Sequence, residues 1–164
     1  MIQLPLILDA GILLDMQSVN LLDCLLSVDR FFLTTNFVFN SIRKSINSDT
    51  FAKLAQNKNL EIFSIEQMDP FWEFYLSLQG SLSIEECSVL FSAQKMQAVL
   101  LLSDKNLIGF AKKNGVNSFG LLAVLKCMEK RNLLSPNEVA TKWSVLMNKN
   151  KNLYKEECRK KIIQ

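Results

Sequence analysis

The sequence predicts a three-layer α/β/α domain built on a mostly parallel sheet. Two observations predict it. Short apolar runs alternate along the chain with segments of helical period, and those runs are nearly continuous rather than alternating in polarity. Strands buried on both faces read that way, and strand–helix alternation is the signature of parallel pairing. At 164 residues the chain is sized for one domain, taken as 1–164 with a basic helical tail from about 141. Apolar residues make up 49% and charged residues 21%, the balance of a globular protein.

The predicted strands are Leu4–Leu8, Phe31–Thr34, Leu60–Ser64 and Val99–Leu102, with Val116–Ser118 as a fifth. The helices between them carry apolar stripes. Ile84–Gln97 aligns Val89, Leu90, Ala93 and Met96, and Leu121–Lys130 aligns Leu121, Leu122, Leu125 and Met128. Start signals support these assignments. Ser64 to Gln67, Ser83 to Glu86 and Ser135 to Glu138 each have capping-box spacing, the last with Pro136 at the first helical position. Asp69-Pro70 restarts the helix after the third strand, and Gly115 is a stop after Lys112-Lys113-Asn114. The aromatic segment from Pro70 to Tyr75 reads as helix core, with a nucleic-acid stacking surface as the other reading. Phe31, Phe32, Phe37 and Phe39 read as strand and helix core.

Composition narrows the chemistry. There is no histidine, so no imidazole base, nucleophile or metal ligand. The five glycines form neither a dinucleotide fingerprint nor a phosphate-cradling loop. Cys24, Cys87, Cys127 and Cys158 form no Cys-x-x-Cys pair and read as free thiols of a reducing cytoplasm. No run approaches the roughly 20 apolar residues of a membrane span, and the amino terminus lacks a basic leader region. The net charge is +3, concentrated in the tail. There Lys142, Lys149, Lys151, Lys155, Arg159, Lys160 and Lys161 outnumber Glu156 and Glu157. That tail reads either as a solvated helix face or as a contact for a polyanion or acidic partner.

In parallel sheets, sites form at the carboxyl ends of strands where the strand order reverses. Asp9 follows the first strand, Asp104 follows Val99–Leu102, and Glu86 lies in the first turn of the helix feeding that strand. Each also suits a helix cap, because aspartate is a preferred N-cap and Glu86 is the reciprocal partner of Ser83. Asp15, Asp23 and Asp29 read as surface positions. Three carboxylates on one rim raise each other's pKa and call for a cation or a proton. All-oxygen donors favour Mg²⁺ or Mn²⁺. Carboxylate-held metal can activate water for phosphoryl transfer without histidine, the catalytic route this composition leaves open.

These residues resemble the PIN-domain family of metal-dependent nucleases, which includes VapC-type ribonuclease toxins of toxin–antitoxin pairs. The resemblance runs from Leu6 to about Ile162. It is carried by the segment Leu82 to Ala93, by Ala98 to Leu107 with its Leu-Leu-Leu-Ser-Asp strand end, and by Ala111 to Leu122. It implies Asp9, Glu86 and Asp104 as catalytic and metal-holding acids, Mg²⁺ or Mn²⁺ as cofactor and RNA as substrate. It also implies a small antitoxin-like protein as partner, and a homodimer. Three positions depart from the family pattern. Ser41 stands where a second glutamate follows Val38 in a V-x-x-E pattern, Leu102 stands where a threonine often precedes the last aspartate, and Ile108 replaces a basic residue. Loss of an anionic ligand weakens divalent-metal binding, so a non-catalytic binding module for protein or RNA is the alternative reading.

Overall fold

The computed structural model describes residues 4–149. Five strands, Leu6–Leu8 (β1), Phe32–Thr35 (β2), Leu60–Phe63 (β3), Val99–Leu102 (β4) and Ser118–Gly120 (β5), form one sheet in the order β3-β2-β1-β4-β5. Every pairing is parallel, with Leu6 opposite both Phe32 and Val99. With helices packed around it, this is the expected α/β/α architecture. Every residue of β2 and β4 is buried, as continuous apolar strands in a covered sheet should be.

The chain steps outward from β1 to β2 to β3, then returns past both to place β4 on the other side of β1. Right-handed crossovers put the β1–β2 and β3–β4 connections on opposite faces. The reversal falls between β1 and β4, so the crevice of this sheet opens above those two strands. Helix Ile84–Met96 (α6) packs against β1, β2 and β4. Helix Asn36–Ile42 (α3) touches both Ala10–Ser18 (α1) and α6, so it bridges the layers near that crevice. The core includes Ile7, Leu8, Ile12, Leu90, Leu100 and Leu102, all fully buried.

Local signals account for most boundaries. The Ser83 box forms in both directions, and Ser135 and Glu138 do likewise at the start of Pro136–Lys149 (α9). Helix Lys105–Lys113 (α7) ends at Gly115, whose φ of 69° only glycine adopts readily. There Val116 N–H closes on Ala111 O at 2.9 Å. That closure moves the fifth strand two residues beyond the predicted Val116–Ser118, because Val116 completes the helix end. The predicted box at Ser64 does not form: helix Met68–Ser77 (α5) starts at Met68. A start at Ser64 would have set Pro70 inside the helix, where its missing N–H and its ring break the backbone ladder. As built, Pro70 lies in the first turn, where no N–H is required.

Three further expectations change. Phe31 is 52% exposed while Phe32 is buried, because the two alternate across the strand start. The aromatic segment divides: Phe71 is buried against Phe37 and Phe91, whereas Trp72 is exposed. Asp15 is not a surface residue but buried, with Lys149 Nζ 3.7 Å from its Oδ1. Asp23 and Asp29 are exposed as expected. In α9, Lys142 Nζ also donates to Val19 O at 2.8 Å, so two bases of the tail reach α1 or its end, Lys149 with a side chain still 52% exposed. Lys151, Lys155, Arg159, Lys160, Lys161, Glu156, Glu157 and Cys158 lie outside the described residues. Among those described, Cys24, Cys87 and Cys127 are free thiols. None of the described helices is long and apolar enough to cross a membrane.

Candidate active site

Asp9 is the residue on which the crevice is centred. It leaves β1 with its N–H on Leu101 O at 3.3 Å, and its side chain caps α1 by accepting from Gly11 N at 3.1 Å. Only 4% of it is exposed. Burial pushes its carboxyl up to about 6, the N–H groups of Gly11 and Ala10 pull it back, and the charges of Glu86 and Asp104 raise it further. Acids remote in sequence therefore act on one buried group.

Asp104 caps α7, with Oδ1 accepting from Leu107 N at 2.9 Å. Glu86 closes the box of α6, with Oε2 accepting from Ser83 N at 2.7 Å. All three acids are thus caps, and capping is what fixes them at this end of the sheet. Each of these caps engages a single carboxylate oxygen.

A set of hydroxyls, not singled out from sequence, braces this rim. Thr35 ends β2, level with Asp9 when the β1–β2 register is continued. Its Oγ1 accepts from Val38 N and shares a 2.7 Å hydrogen bond with Ser88 Oγ of α6. Ser88 in turn donates to Glu85 O at 2.6 Å. The first turn of α6, and Glu86 with it, is thereby tied to the end of β2. The signal in the sequence was Thr35 itself, a threonine at a strand–helix junction three residues before Val38. Thr34 Oγ1 donates to Leu8 O at 3.0 Å and ties β2 to β1.

Leu102 is fully buried and offers no hydroxyl, as its sequence implies. The hydroxyl at this strand end comes from Ser103, one residue later. A Cβ added to Gly11 would overlap Ser103 Oγ and lie 3.2 Å from Asp9 Oδ2, so Gly11 permits close approach of α1 to the β4–α7 turn. Ser41 is exposed and spends its Oγ on Val38 O at 2.8 Å, adding no charge to the rim. Asn36 follows Thr35, and its Oδ1 is buried with no hydrogen-bond partner. Orphan acceptors of this kind are uncommon and call for a donor or a cation.

Five parallel strands with Asp9 and Asp104 following the two strands at the switch point make an α/β fold of the kind whose sites lie at the carboxyl ends of its strands. A profile of the family described as PIN domain matches residues 5–164, nearly the whole chain, and the chain belongs to the PIN-domain family. Members of that family are generally divalent-metal-dependent nucleases acting on RNA. Comparison with curated proteins gives no match.

The residues fit a divalent cation in charge and chemistry. The donors are oxygens, the buried Asp9 lies under two like charges, and Asn36 offers an orphan acceptor oxygen. Among the described residues no three acidic or cysteine side chains are grouped closely enough to hold one ion as they stand. Loading would therefore require the carboxylates to draw inward, and the Ser83–Glu86 box is the contact that would loosen.

Proposed function

We propose that this chain is a Mg²⁺- or Mn²⁺-dependent ribonuclease of PIN type, the toxin of a cytoplasmic toxin–antitoxin pair. The observation that supports this most is the Asp9 carboxyl at the switch point, raised first by burial and then by the charges of Glu86 and Asp104. Asp9 and Asp104 would hold the ion, and Glu86 would join once its contact with Ser83 N loosens. When bound, the ion supplies activated water and neutralises charge on the phosphodiester. The chain's own groups position that chemistry: α1 fixes Asp9 through Gly11 N–H, and the Thr35–Ser88 bond holds the turn carrying Glu86. A small antitoxin-like protein and a second copy of the chain are the partners this reading carries. The test is RNA cleavage by the purified protein with Mn²⁺ and with chelator. Cleavage that needs metal and vanishes in Asp9→Asn and in Asp104→Asn supports the reading. Metal-independent cleavage, or none at all, refutes it.

A second reading, a non-catalytic binding module for RNA or protein, is favoured by Ser41 and by the spacing of the acids. It expects RNA binding without turnover and feeble Mn²⁺ affinity by calorimetry. Robust turnover by highly purified wild-type protein excludes it.

A further inference from the structure

One face of the sheet carries a second feature that the acidic rim does not use. Leu6, Phe32, Leu101 and Phe119 lie on one face by register and floor a groove of about 500 Å³. Helices Leu22–Leu26 (α2) and Leu121–Lys130 (α8) form its walls. The groove runs along the strands from Leu6 and Phe32 up to Leu101, which is level with Leu8, and Asp9, three residues after Leu6, falls on the other face by alternation. Its floor is left partly open, with Phe119 54% exposed. Four bases, Arg30, Lys126, Lys130 and Arg131, stand around it, and among the described residues no acidic one lines it. Lys126 is paired with Glu129 at 2.7 Å.

Helix α2 has only five residues. The floor crosses four strands, so at ~4.8 Å per strand spacing it is about 14 Å wide. A helix is roughly 10 Å across. Apolar floor and cationic rim together select an occupant with the converse pattern.

The geometry points to this groove as the docking site for an acidic amphipathic helix of a partner protein. The apolar stripe of that helix meets Phe119 and the half-buried Leu6, and its flanking carboxylates meet Arg30, Lys130 and Arg131. The site is separate from the acidic rim and stands whether or not the protein cleaves RNA. Cys127, an exposed thiol on the groove wall, reports occupancy directly.

The test uses the full chain and a synthetic helical peptide of about 14 residues, roughly four turns, with a leucine stripe flanked by glutamates. A twin carries lysines in place of the glutamates. The glutamate peptide should bind in the micromolar range, weaken with salt, and slow maleimide labelling of Cys127. The lysine twin should bind at least tenfold more weakly. Phe119→Ser and Arg131→Glu, both at exposed positions, should each weaken binding about tenfold while leaving the melting temperature in place. No binding, equal binding of both peptides, or insensitivity to both substitutions overturns the proposal. So does displacement of the peptide by decanoate at lower concentration than the peptide itself, which would assign the groove to a small anionic amphiphile. A dimer in sedimentation velocity that Phe119→Ser dissociates would assign it to a second copy of the chain, and also overturns it.

Discussion

Thr35 and Ser88, far apart in sequence, meet in the interior through hydroxyls 2.7 Å apart, and that contact joins β2 to α6. Because Ser88 donates to Glu85 O, Thr35 is the donor to Ser88, and both hydroxyls are satisfied.

Removing either hydroxyl should therefore cost more than an ordinary hydrogen bond. Ser88→Ala leaves the buried Thr35 hydroxyl without an acceptor, a loss of about 1–3 kcal/mol by urea unfolding. Thr35→Val removes the cap on Val38 N as well and should cost at least as much. The double variant should fall short of the sum, since the orphan left by one change is removed by the other. Strict additivity would show that the two groups do not act as a pair.

Gly11 and Ser103 make a second coupled pair. Gly11→Ala forces Ser103 Oγ aside and crowds Asp9 Oδ2, and should destabilise by about 1 kcal/mol. Ser103→Ala in the same chain should recover most of that loss. Its Cβ is 3.5 Å from the added methyl, an ordinary contact. Thermal unfolding of the four proteins in the cycle measures it, and absence of recovery would place the strain at Asp9 instead.

Asp9 sets a pH dependence of unusual sign. Its carboxyl rises from 3.8 to about 6 on folding, so between those values the folded protein holds the proton that the unfolded chain has released. Stability is then highest below the lower value and falls as pH rises to about 6, by on the order of 3 kcal/mol. Asp9→Asn keeps an accepting cap and removes the titration. It should flatten the unfolding free energy between pH 4 and 6 and stabilise the protein at pH 7 in chelator, readings that urea melts at several pH values supply.

Metal should act on the same group. Mn²⁺ binding to the folded state raises the melting temperature by mass action, and the shift should vanish in Asp9→Asn. Ser41→Glu, at an exposed helical position, should tighten Mn²⁺ by about tenfold, the scale of one added favourable charge of ~1.4 kcal/mol. Calorimetric titration checks both, and an unchanged affinity in Ser41→Glu would show that this position does not reach the rim.

The fold was legible because local and global signals agree. Continuous apolar runs such as Val99–Leu102 have no other comfortable place than a covered parallel sheet, and Ser83 and Ser135 mark helix starts by chemistry that depends on neighbours alone. The position of the three acids was legible for the same reason, since each is also a cap. What stayed hidden was set by packing across long sequence separations. Nothing near Asp15 announces that Lys149 will cover it, nothing near Ser88 names Thr35, and the groove under Phe119 exists only once α2 and α8 take their places. The error at Ser64 is different in kind: two local signals competed, and the backbone demand of Pro70 outweighed the box.

The central place of β1 has a consequence for how the molecule is made. Leu6 pairs with Val99, so β1 is synthesised well before its second neighbour in the sheet arrives. Contacts of such sequence separation are slow to close and form late. Asp9 and Asp104 sit on the two sides of that final closure. An incomplete nascent chain thus carries the first acid without the last, and the pocket between them is assembled only when synthesis is well advanced.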